Sequence, residues 1–536
     1  MPAPTRSHWL ALPFISMGVA LIIVDATIVN VAIPTIIRDI HLSVTGAEWL
    51  NSIYSLVFAA LLISVGRAGD RWGRKRMFLA GTITFVLASL LAAIAPNGGL
   101  LILARSIQGV GGAMILPSTL STVNALFTGK SRAIAFAVWG STIGGFAAVG
   151  PLLGGWLTTD VSWRWAFLVN VPIGILIIVG ILFFIEETSD PSSNPGFDFQ
   201  GNILSVLGLG GVVFALIESA QYGWWTQERT FTVLGWHWPT SWVSIIPFIF
   251  TAGLLILLLF VAVELQHRRK HRTVLIDFAL FRIRSFGFGN VAAFAVSLGE
   301  FGLLFVLPLF LQGVLGYSAL GTGFVFLALA IGAFIAGGLT PGLARSLSPR
   351  NIARLGMLLE AAGLGLLGLM ITASSTGWGL APWLFIYGLG VGMASAQLTG
   401  VILTDVPPAD SGQASGIQST SRQVGSAFGV AILGTIFLTI LANRTSSALT
   451  MLHTLPPAAV KGIVALMKAT GGAGIPALHS YPGSTPIIAA ASQAVTHAAK
   501  IDALLAGAFI LIGLAATFAL PRATHSQQEH RTENGE

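Results

Sequence analysis

Charged side chains are scarce in this sequence of 536 residues. Asp, Glu, Lys and Arg together make up 9% of the chain, against about 25% in a typical soluble domain. Because 54% of the residues are hydrophobic, a soluble globule of this composition would lack the polar groups to cover its surface. The composition therefore excludes a soluble globular protein and predicts that the excess apolar residues face lipid.

Cysteine is absent altogether, whereas glycine is abundant at 63 residues. The lack of cysteine excludes disulfide bonds, thiolate catalysis and cysteine-ligated metal sites, and we predict neither a metal nor a cofactor. The many glycines suit helices that pack closely within a bilayer. A cleavable signal peptide is also missing, since the first apolar stretch is too long for one and has no small-residue cleavage site. We therefore expect a retained first span.

Long apolar stretches recur along the chain at the length a membrane requires. A bilayer core of about 30 Å needs roughly 20 apolar residues per helix. By that measure the sequence predicts fourteen spans, at about 9–33, 47–67, 77–96, 99–125, 133–157, 166–185, 199–220, 242–263, 286–312, 321–344, 351–374, 380–404, 413–441 and 501–520. Six, two and six spans predict an all-α integral membrane protein with two six-helix bundles of inverted repeats and two central linker helices. Repeated halves around a central cavity are typical of transporters.

The domain limits follow from these spans. We expect a first bundle over 1–190, two extra helices with a basic inner loop over 191–284, a second bundle over 285–520 and a tail over 521–536. A long outer loop at 442–500 is rich in Ala, Gly and Pro. Two interpretations of it stay open: a poorly ordered surface loop, or a loop with short amphipathic helices.

The loop charges set the predicted orientation. With the N-terminus inside, 20 of the 28 Lys and Arg residues fall on the inner side, a count that includes Arg422, and seven fall outside. This bias predicts that both termini are cytoplasmic and that the protein lies in the cytoplasmic (inner) membrane. The basic run His267–Arg272 then indicates an anchor at anionic lipid. Nucleic acid is a poor second interpretation of the net charge of +7.

Two charged residues fall inside spans of the first half. Asp25 belongs to the segment Val24–Pro34 and Arg105 to the segment Leu101–Ala113, and both lie in the predicted outer half of their spans. An ionised carboxyl at that depth costs several kcal/mol, or it takes up a proton. Burial favours the protonated form of the Asp25 carboxyl, whereas a nearby arginine favours its ionised form. Together the two effects would adjust how readily Asp25 takes up a proton. The alternative is a carboxylate fixed permanently to its arginine.

A short basic loop, Gly66–Arg76, follows the second span, and Gly342–Arg350 echoes it loosely in the second half. Glycines permit a tight turn, and Asp70 is suited to meet the positive N-terminal end of a helix from the other half. Simple positive-inside anchoring explains the arginines but leaves Asp70 unexplained. We therefore predict a conformational switch, built from Gly66, Asp70, Arg71, Gly73 and Arg74.

Small residues are concentrated on the fifth span, in the segment Gly144–Gly155. Glycines four and five residues apart allow helices to approach closely, and a proline bends the helix. The residues predicted to pack in this way are Gly145, Gly150, Pro151, Gly154 and Gly155. Generic tight packing is the simpler reading of this block.

These blocks, in this order and on these spans, resemble the major facilitator superfamily, and most closely its fourteen-span branch of drug:proton antiporters. With Trp163–Pro172 and softer matches at Leu307–Ser318 and Gly412–Gly425, the resemblance covers about 10–440 and leaves the last outer loop unmatched. It implies multidrug efflux by alternating access, driven by inward proton flow, and associates the fifth-span block with antiporters. It also implies that Asp70 meets the helix near Gly416 and so holds the outward-open state. Some members work with periplasmic adaptors, so an adaptor is among the implied partners.

A second acidic residue lies mid-span in the second half. Glu300 is flanked by Phe294, Phe301 and Phe305, and a carboxyl there would bind a cationic drug, a proton, or each in turn. The alternative for Glu300 is a protonated glutamate with a structural role. Glu360 lies nearer an inner end, and this position favours a structural role for Glu360. Weaker candidates for substrate contact are Asn30, Tyr54, Phe301, Phe305, Gln312 and Gln397.

Other functional classes fit the sequence less well. Gly129-Lys130-Ser131 looks like the end of a nucleotide-binding loop, but Asn124 occupies the place of its first glycine, so an ion gradient is the expected energy source. A membrane enzyme would need His, Ser or metal ligands gathered at one depth, whereas all ten histidines fall in predicted loops or tails. An exporter of one endogenous metabolite, lipid or antibiotic remains the alternative within transport.

Overall fold

The computed structural model describes residues 6–42, 44–188, 198–233, 236–239, 243–407, 410–452, 455–480 and 484–520. The predicted tail at 521–536 lies outside these ranges. The described chain is built almost wholly from α-helices. Its β-structure, within the described residues, is one antiparallel pair that joins Thr232–Val233 to Trp236–His237.

The helices follow the predicted order of six, two and six spans. The first half comprises α1 (Arg6–Asp39), α2 (Val44–Trp72), α3 (Arg74–Ala93), α4 (Gly98–Leu126), α5 (Gly129–Trp156), the short α6 (Trp165–Leu168) and α7 (Asn170–Phe184). The extra pair is α8 (Phe199–Tyr222) and α9 (Ile246–Arg269). The second half comprises α10 (Arg284–Gly313), α11 (Ala319–Leu343), α12 (Pro349–Met370), α13 (Gly377–Ile402), α14 (Ser411–Met451), α15 (Pro457–Thr470) and α16 (Thr485–Thr517).

The all-α membrane fold is confirmed. Among the described residues, thirteen candidate spans are long and apolar enough to cross a membrane. The predicted span 133–157 falls on α5, a helix of 28 residues outside these thirteen; several of its side chains lie outside the described part of the chain. Every predicted span thus corresponds to a helix.

Polar caps mark where several of the apolar helices begin. The side chains of Ser318, Ser348 and Thr376 accept hydrogen bonds from backbone amides at the starts of α11, α12 and α13. Asn97 does the same for α4, and Asp198 for α8. Such caps satisfy amides that have no partner within the helix.

The two halves meet along two sets of helices. On one side α2 and α4 pack against α14, and on the other α5 packs against α11 and α13. The extra pair packs mainly within itself, and α8 also lies against α2 and α14. The extra helices therefore lie beside the α2–α14 junction rather than between the two bundles.

The segment predicted as an outer loop, 442–500, is largely helical. The helix α14 is 41 residues long and α16 is 33; at 1.5 Å per residue, α14 is about 60 Å long, roughly twice a bilayer core. Between them lie α15 and a 3-10 turn, Ile475–Ser480. The ends of α14 and α16 therefore extend beyond the predicted spans 413–441 and 501–520 and form a cap with α15 at one end of the second half.

Two sequence assignments are wrong in detail. Three of the histidines expected in loops, His8, His267 and His497, lie within α1, α9 and α16. Arg422, counted among the inner charges, lies inside α14. The histidines lie where helix ends run past the apolar stretches that hydropathy detects. Arg422 was counted as an inner charge although the predicted span 413–441 already contains it.

Candidate functional site

Asp25 lies at the centre of a buried polar cluster in the first half. Its carboxylate accepts hydrogen bonds from Arg105 Nη1 at 2.5 Å, Gln108 Nε2 at 3.1 Å and Asn170 Nδ2 at 2.7 Å. Ser89 Oγ in turn accepts from Gln108 and Asn170. Asp25 and Arg105 are both 0% exposed. Four helices, α1, α3, α4 and α7, thus bring their polar residues to one point in an apolar bundle.

The second helix completes the surroundings of Arg105. Its Nε donates to the backbone carbonyl of Leu50 at 3.3 Å, and its guanidinium carbon lies 4.3 Å from the centre of the Tyr54 ring. Arg105 Nη2 and the Tyr54 hydroxyl, both buried, lack hydrogen-bond partners among the described residues. Tyr54, a candidate for substrate contact, therefore lies in the Asp25 cluster, where its ring stacks on the arginine.

A second carboxylate–arginine pair lies in the other half. Glu300 on α10 forms an ion pair with Arg422 Nη2 on α14 at 3.2 Å. Ser395 on α13 donates to the same carboxylate at 3.2 Å and accepts from Arg422 at 3.2 Å. The Glu300 and Arg422 side chains are 6% and 13% exposed. The carboxyl expected among aromatic side chains is therefore held by an arginine that the sequence assigned to an inner loop.

The end of α2 contacts the start of α14. Asp70 accepts hydrogen bonds of 2.7 Å from the backbone amides of both Gly412 and Gln413, and one of 3.1 Å from Arg74. These amides lie in the first turn of α14, where backbone donors have no partner within the helix. Gly66 packs against the backbone of Gly412 and Gly416, so that a Cβ there would overlap them. The predicted meeting of Asp70 with a helix of the other half is present in the structure.

The turn between α2 and α3 has a second carboxylate contact. Gly73 adopts φ 103°, a left-handed conformation that favours glycine, and a Cβ there would overlap the Glu187 carboxylate. Glu187 accepts from the backbone amides of Lys75 and Arg76 at the start of α3. Arg74 is buried against Asp70, whereas Arg71 is half-buried. The basic loop thus joins three elements: α2, α3 and the segment after α7.

The glycines of α5 lie at helix–helix contacts. A Cβ at Gly145 would overlap the Phe334 ring of α11, and a Cβ at Gly150 would overlap Thr27 of α1. Gly155 has more room, since Leu320 lies 3.5 Å from the place of its Cβ. Gly154 is buried and accepts a hydrogen bond from Thr158, and the side chain of Pro151 lies outside the described residues. Gly150 therefore fixes the approach of α5 to the turn of α1 that carries Asp25.

The weaker substrate candidates are scattered. Phe301 and Phe305 are each 38% exposed on α10, and Gln312 is half-buried near the end of the same helix. Gln397 is buried and donates to the Ala133 carbonyl of α5 at 3.0 Å, so it joins the two halves. The side chain of Asn30 lies outside the described residues.

Sequence reasoning did not single out four residues that bind the two carboxylates. They are Gln108, Asn170, Ser395 and Arg422. Each is a polar residue inside a span, which is the signal that identified Asp25 and Arg105. A search for every polar residue in the spans would have found them, although not their partners.

No group of three or more metal-ligating side chains occurs within the described ranges.

The fold and the site define the class of protein. Two helical bundles that meet along two sets of helices, each bundle with a buried carboxylate–arginine pair, form a polytopic membrane transporter rather than an enzyme. The family model described as Major Facilitator Superfamily matches residues 15–217 and 199–430. The chain belongs to the major facilitator superfamily.

Curated relatives cover most of the chain. The multidrug efflux pump LfrA of Mycolicibacterium smegmatis is 34% identical over 81% of this chain and 81% of its own length. The probable actinorhodin transporter of Streptomyces coelicolor is 32% identical over 83% of this chain and 75% of its own length. The puromycin resistance protein pur8 of Streptomyces alboniger is 33% identical over 86% of this chain and 87% of its own length. These relatives support a multi-pass membrane exporter.

A solved structure supports the fold. The crystal structure of the human organic anion transporter MFSD10 matches with a TM-score of 0.55 and 12% sequence identity, and the match covers 94% of this chain and 100% of the other. At that identity the likeness shows the arrangement of helices alone.

Proposed function

We propose that this protein exports amphipathic, cationic drugs in exchange for protons by alternating access. The observation that carries the proposal is the buried Asp25 cluster, in which a carboxylate is held by an arginine and two amides within an apolar bundle. An ionised carboxyl in a membrane is expensive, and such groups mark ion and proton pathways. Relatives named as multidrug efflux and resistance proteins support export as the direction.

The proposed cycle gives each predicted site residue a role. Protonation of Asp25 neutralises the partner of Arg105 and weakens their ion pair. Glu300 binds a proton or the cationic substrate in the second half. Gly66, Asp70, Arg71, Gly73 and Arg74 hold the inner side closed while the cavity faces outward, and the glycines of α5 keep the helices close as the bundles rock. The proposed location is the cytoplasmic membrane with both termini inside; a periplasmic adaptor is a further proposed partner.

A second candidate is narrower. Two relatives carry names that refer to one compound each, actinorhodin and puromycin, which favours an exporter of a single antibiotic or metabolite. A susceptibility panel on deletion and overexpression strains separates the two functions. A change for many unrelated cations supports multidrug export, and a change for one compound supports the narrow function.

The decisive test of coupling uses purified protein in liposomes. An imposed pH difference should drive accumulation of a lipophilic cation such as tetraphenylphosphonium, and a protonophore should abolish it. If the flux of every solute tried is the same with and without the pH difference, proton coupling is ruled out.

A further inference from the structure

Glu360 is a buried carboxyl that the proposed cycle does not use. It lies on α12, is 0% exposed, and packs with its Cγ against Gly390 of α13. Neither of its carboxyl oxygens has a hydrogen-bond partner among the described residues. Glu360 lies deep in the bundle. The sequence instead placed it near an inner end and favoured a structural role for it.

Glu360 belongs to the same charge cluster as Glu300. It interacts electrostatically with both Glu300 and Arg422, and Tyr387 of α13 interacts with both glutamates. Arg422 uses Nη2 for Glu300 and Ser395, whereas its buried Nη1 has no hydrogen-bond partner within the described chain. One arginine thus interacts with two buried carboxyls, and its Nη1 makes no hydrogen bond within the described chain.

The elements packed around this cluster add no further charge to it. The helices α11 and α13 contain no charged residue. On α16, Lys500 and the buried Asp502 are not among the groups that act electrostatically on Glu300 or Glu360. The other charged residues of α10, α12 and α14, which are Arg284, Arg350, Arg354 and Arg444, lie toward helix ends. The charge balance is therefore set by two glutamates and one arginine.

The two halves differ in the balance of their buried charges. Asp25 and Arg105 cancel, and three donors satisfy the Asp25 carboxylate. Two ionised glutamates beside Arg422 would leave one uncompensated negative charge in a buried site, which is strongly unfavourable in a membrane protein. A single proton removes that charge. The unpartnered oxygens of Glu360 identify the group that lacks a cation.

We propose that Glu300 and Glu360 share Arg422 and hold one exchangeable proton, carried by Glu360 in this conformation. On release, the O–H bond of Glu360 breaks, the proton passes to water, and the new carboxylate accepts from Arg422 Nη1. Arg422 then loosens from Glu300, and the cluster carries one negative charge, which a monovalent cationic substrate neutralises. The second half thus exchanges one proton for one cation. This inference rests on the proposed proton-coupled export.

The test counts protons directly on the purified full-length protein. Tetraphenylphosphonium is added in weakly buffered solution, and the protons released per bound cation are measured with a pH indicator. Glu360→Gln should lower the release by about one proton per cation. Glu300→Gln should do the same, because either substitution leaves one carboxyl with one arginine. In Arg422→Gln both glutamates should hold a proton before the cation binds, which is one bound proton more than in the wild-type protein. A glutamate with a merely structural role would gain no proton when Arg422 is removed.

Infrared spectroscopy shows the same proton without transport. The carbonyl band of protonated carboxyls, present in the wild-type protein, should lose intensity in Glu360→Gln and gain intensity in Arg422→Gln. The matched control is Asp502→Asn, which removes another buried carboxyl of the same bundle and should leave the proton release unchanged.

Three results would overturn the proposal: unchanged proton release in Glu360→Gln, an unchanged carbonyl band in Glu360→Gln, or loss of proton release in Asp502→Asn alone. These outcomes are distinct from failure of the proposed function. If the wild-type protein releases no protons and its flux ignores a pH difference, proton-coupled export itself fails. If the wild-type protein is coupled and Glu360→Gln behaves identically, only the shared-proton inference fails.

Discussion

The carboxylate of Asp70 accepts a 2.7 Å hydrogen bond from the backbone amide of Gly412, which lies 342 residues later in the chain. A buried carboxylate at the end of α2 thereby meets the first turn of α14, where the helix carries partial positive charge. The bond joins the two halves at one end of the molecule. Whatever opens that end must break it.

Replacement of Asp70 by Asn should therefore shift the protein toward the conformation open at that end. The loss of a charge-assisted hydrogen bond costs about 1–3 kcal/mol, or about a 5- to 150-fold change in the ratio of two states. Because the chain lacks cysteine, Glu186→Cys and Arg345→Cys give two unique labelling sites, and pulsed electron spin resonance measures the distance between them. The distance should lengthen in Asp70→Asn and stay constant in Asp160→Asn, an exposed carboxylate far from the contact. Equal distance distributions in both variants would contradict a latch.

Asp25→Asn should abolish proton-driven export and leave expression intact. The substitution keeps the shape of the side chain but removes the carboxyl that, in the proposed cycle, takes up and releases the proton. Cation accumulation in liposomes under a pH difference should fall to that of protein-free liposomes. The control on the same helix is Asp39→Asn, whose side chain is 56% exposed and pairs with Arg164. Normal accumulation by Asp25→Asn would remove this residue from the mechanism.

Tyr54 should be needed for its ring rather than its hydroxyl. The ring stacks on Arg105 at 4.3 Å, a contact worth about 2 kcal/mol when desolvated, whereas the hydroxyl has no partner among the described residues. Tyr54→Phe should therefore transport like the wild-type protein, and Tyr54→Leu should lose most proton-driven flux at equal expression. If Tyr54→Phe were as defective as Tyr54→Leu, the hydroxyl would have a role that the stacking does not explain.

The contact of α5 with α1 should tolerate no side chain at Gly150. A Cβ there overlaps Thr27, and overpacking of this kind costs about 1–3 kcal/mol. Gly150→Ala should lower the midpoint of thermal unfolding, followed by intrinsic fluorescence in detergent. Gly155→Ala on the same helix, with its nearest neighbour at 3.5 Å, serves as the matched control and should unfold like the wild-type protein. Equal midpoints for the two variants would show that α1 and α5 can move apart at no cost.

Hydropathy and short motifs predicted much of the fold. Each span was detectable because a bilayer-crossing helix needs a local run of apolar residues, and each run can be read without knowledge of the rest of the chain. The ends of α14 and α16 were not detectable in this way. Their extensions are stabilised by contacts within the cap, such as that of Arg444 on α14 with His497 on α16, and leave no hydropathy signal.

The candidate site was predictable in its members and only partly in its pairs. Asp25 and Arg105 could be matched because both lie at one predicted depth in one half. The partner of Glu300 could not be matched, since Arg422 is 122 residues away and follows the inner end of its helix closely enough to be counted as a loop charge. Sequence gives the depth of a residue in its span but not the face of the helix on which a neighbour lies.

The sequence by itself determined that this is a membrane protein of two helical halves with a few charges sunk in its spans, because lipid imposes its requirements on each segment separately. Only the tertiary structure decided which charged groups are in contact: Asp25 with Arg105, Asp70 with the start of α14, and Glu300 with Arg422. Those pairings depend on how helices distant in sequence rotate and pack against one another, and no local property of the chain encodes that rotation.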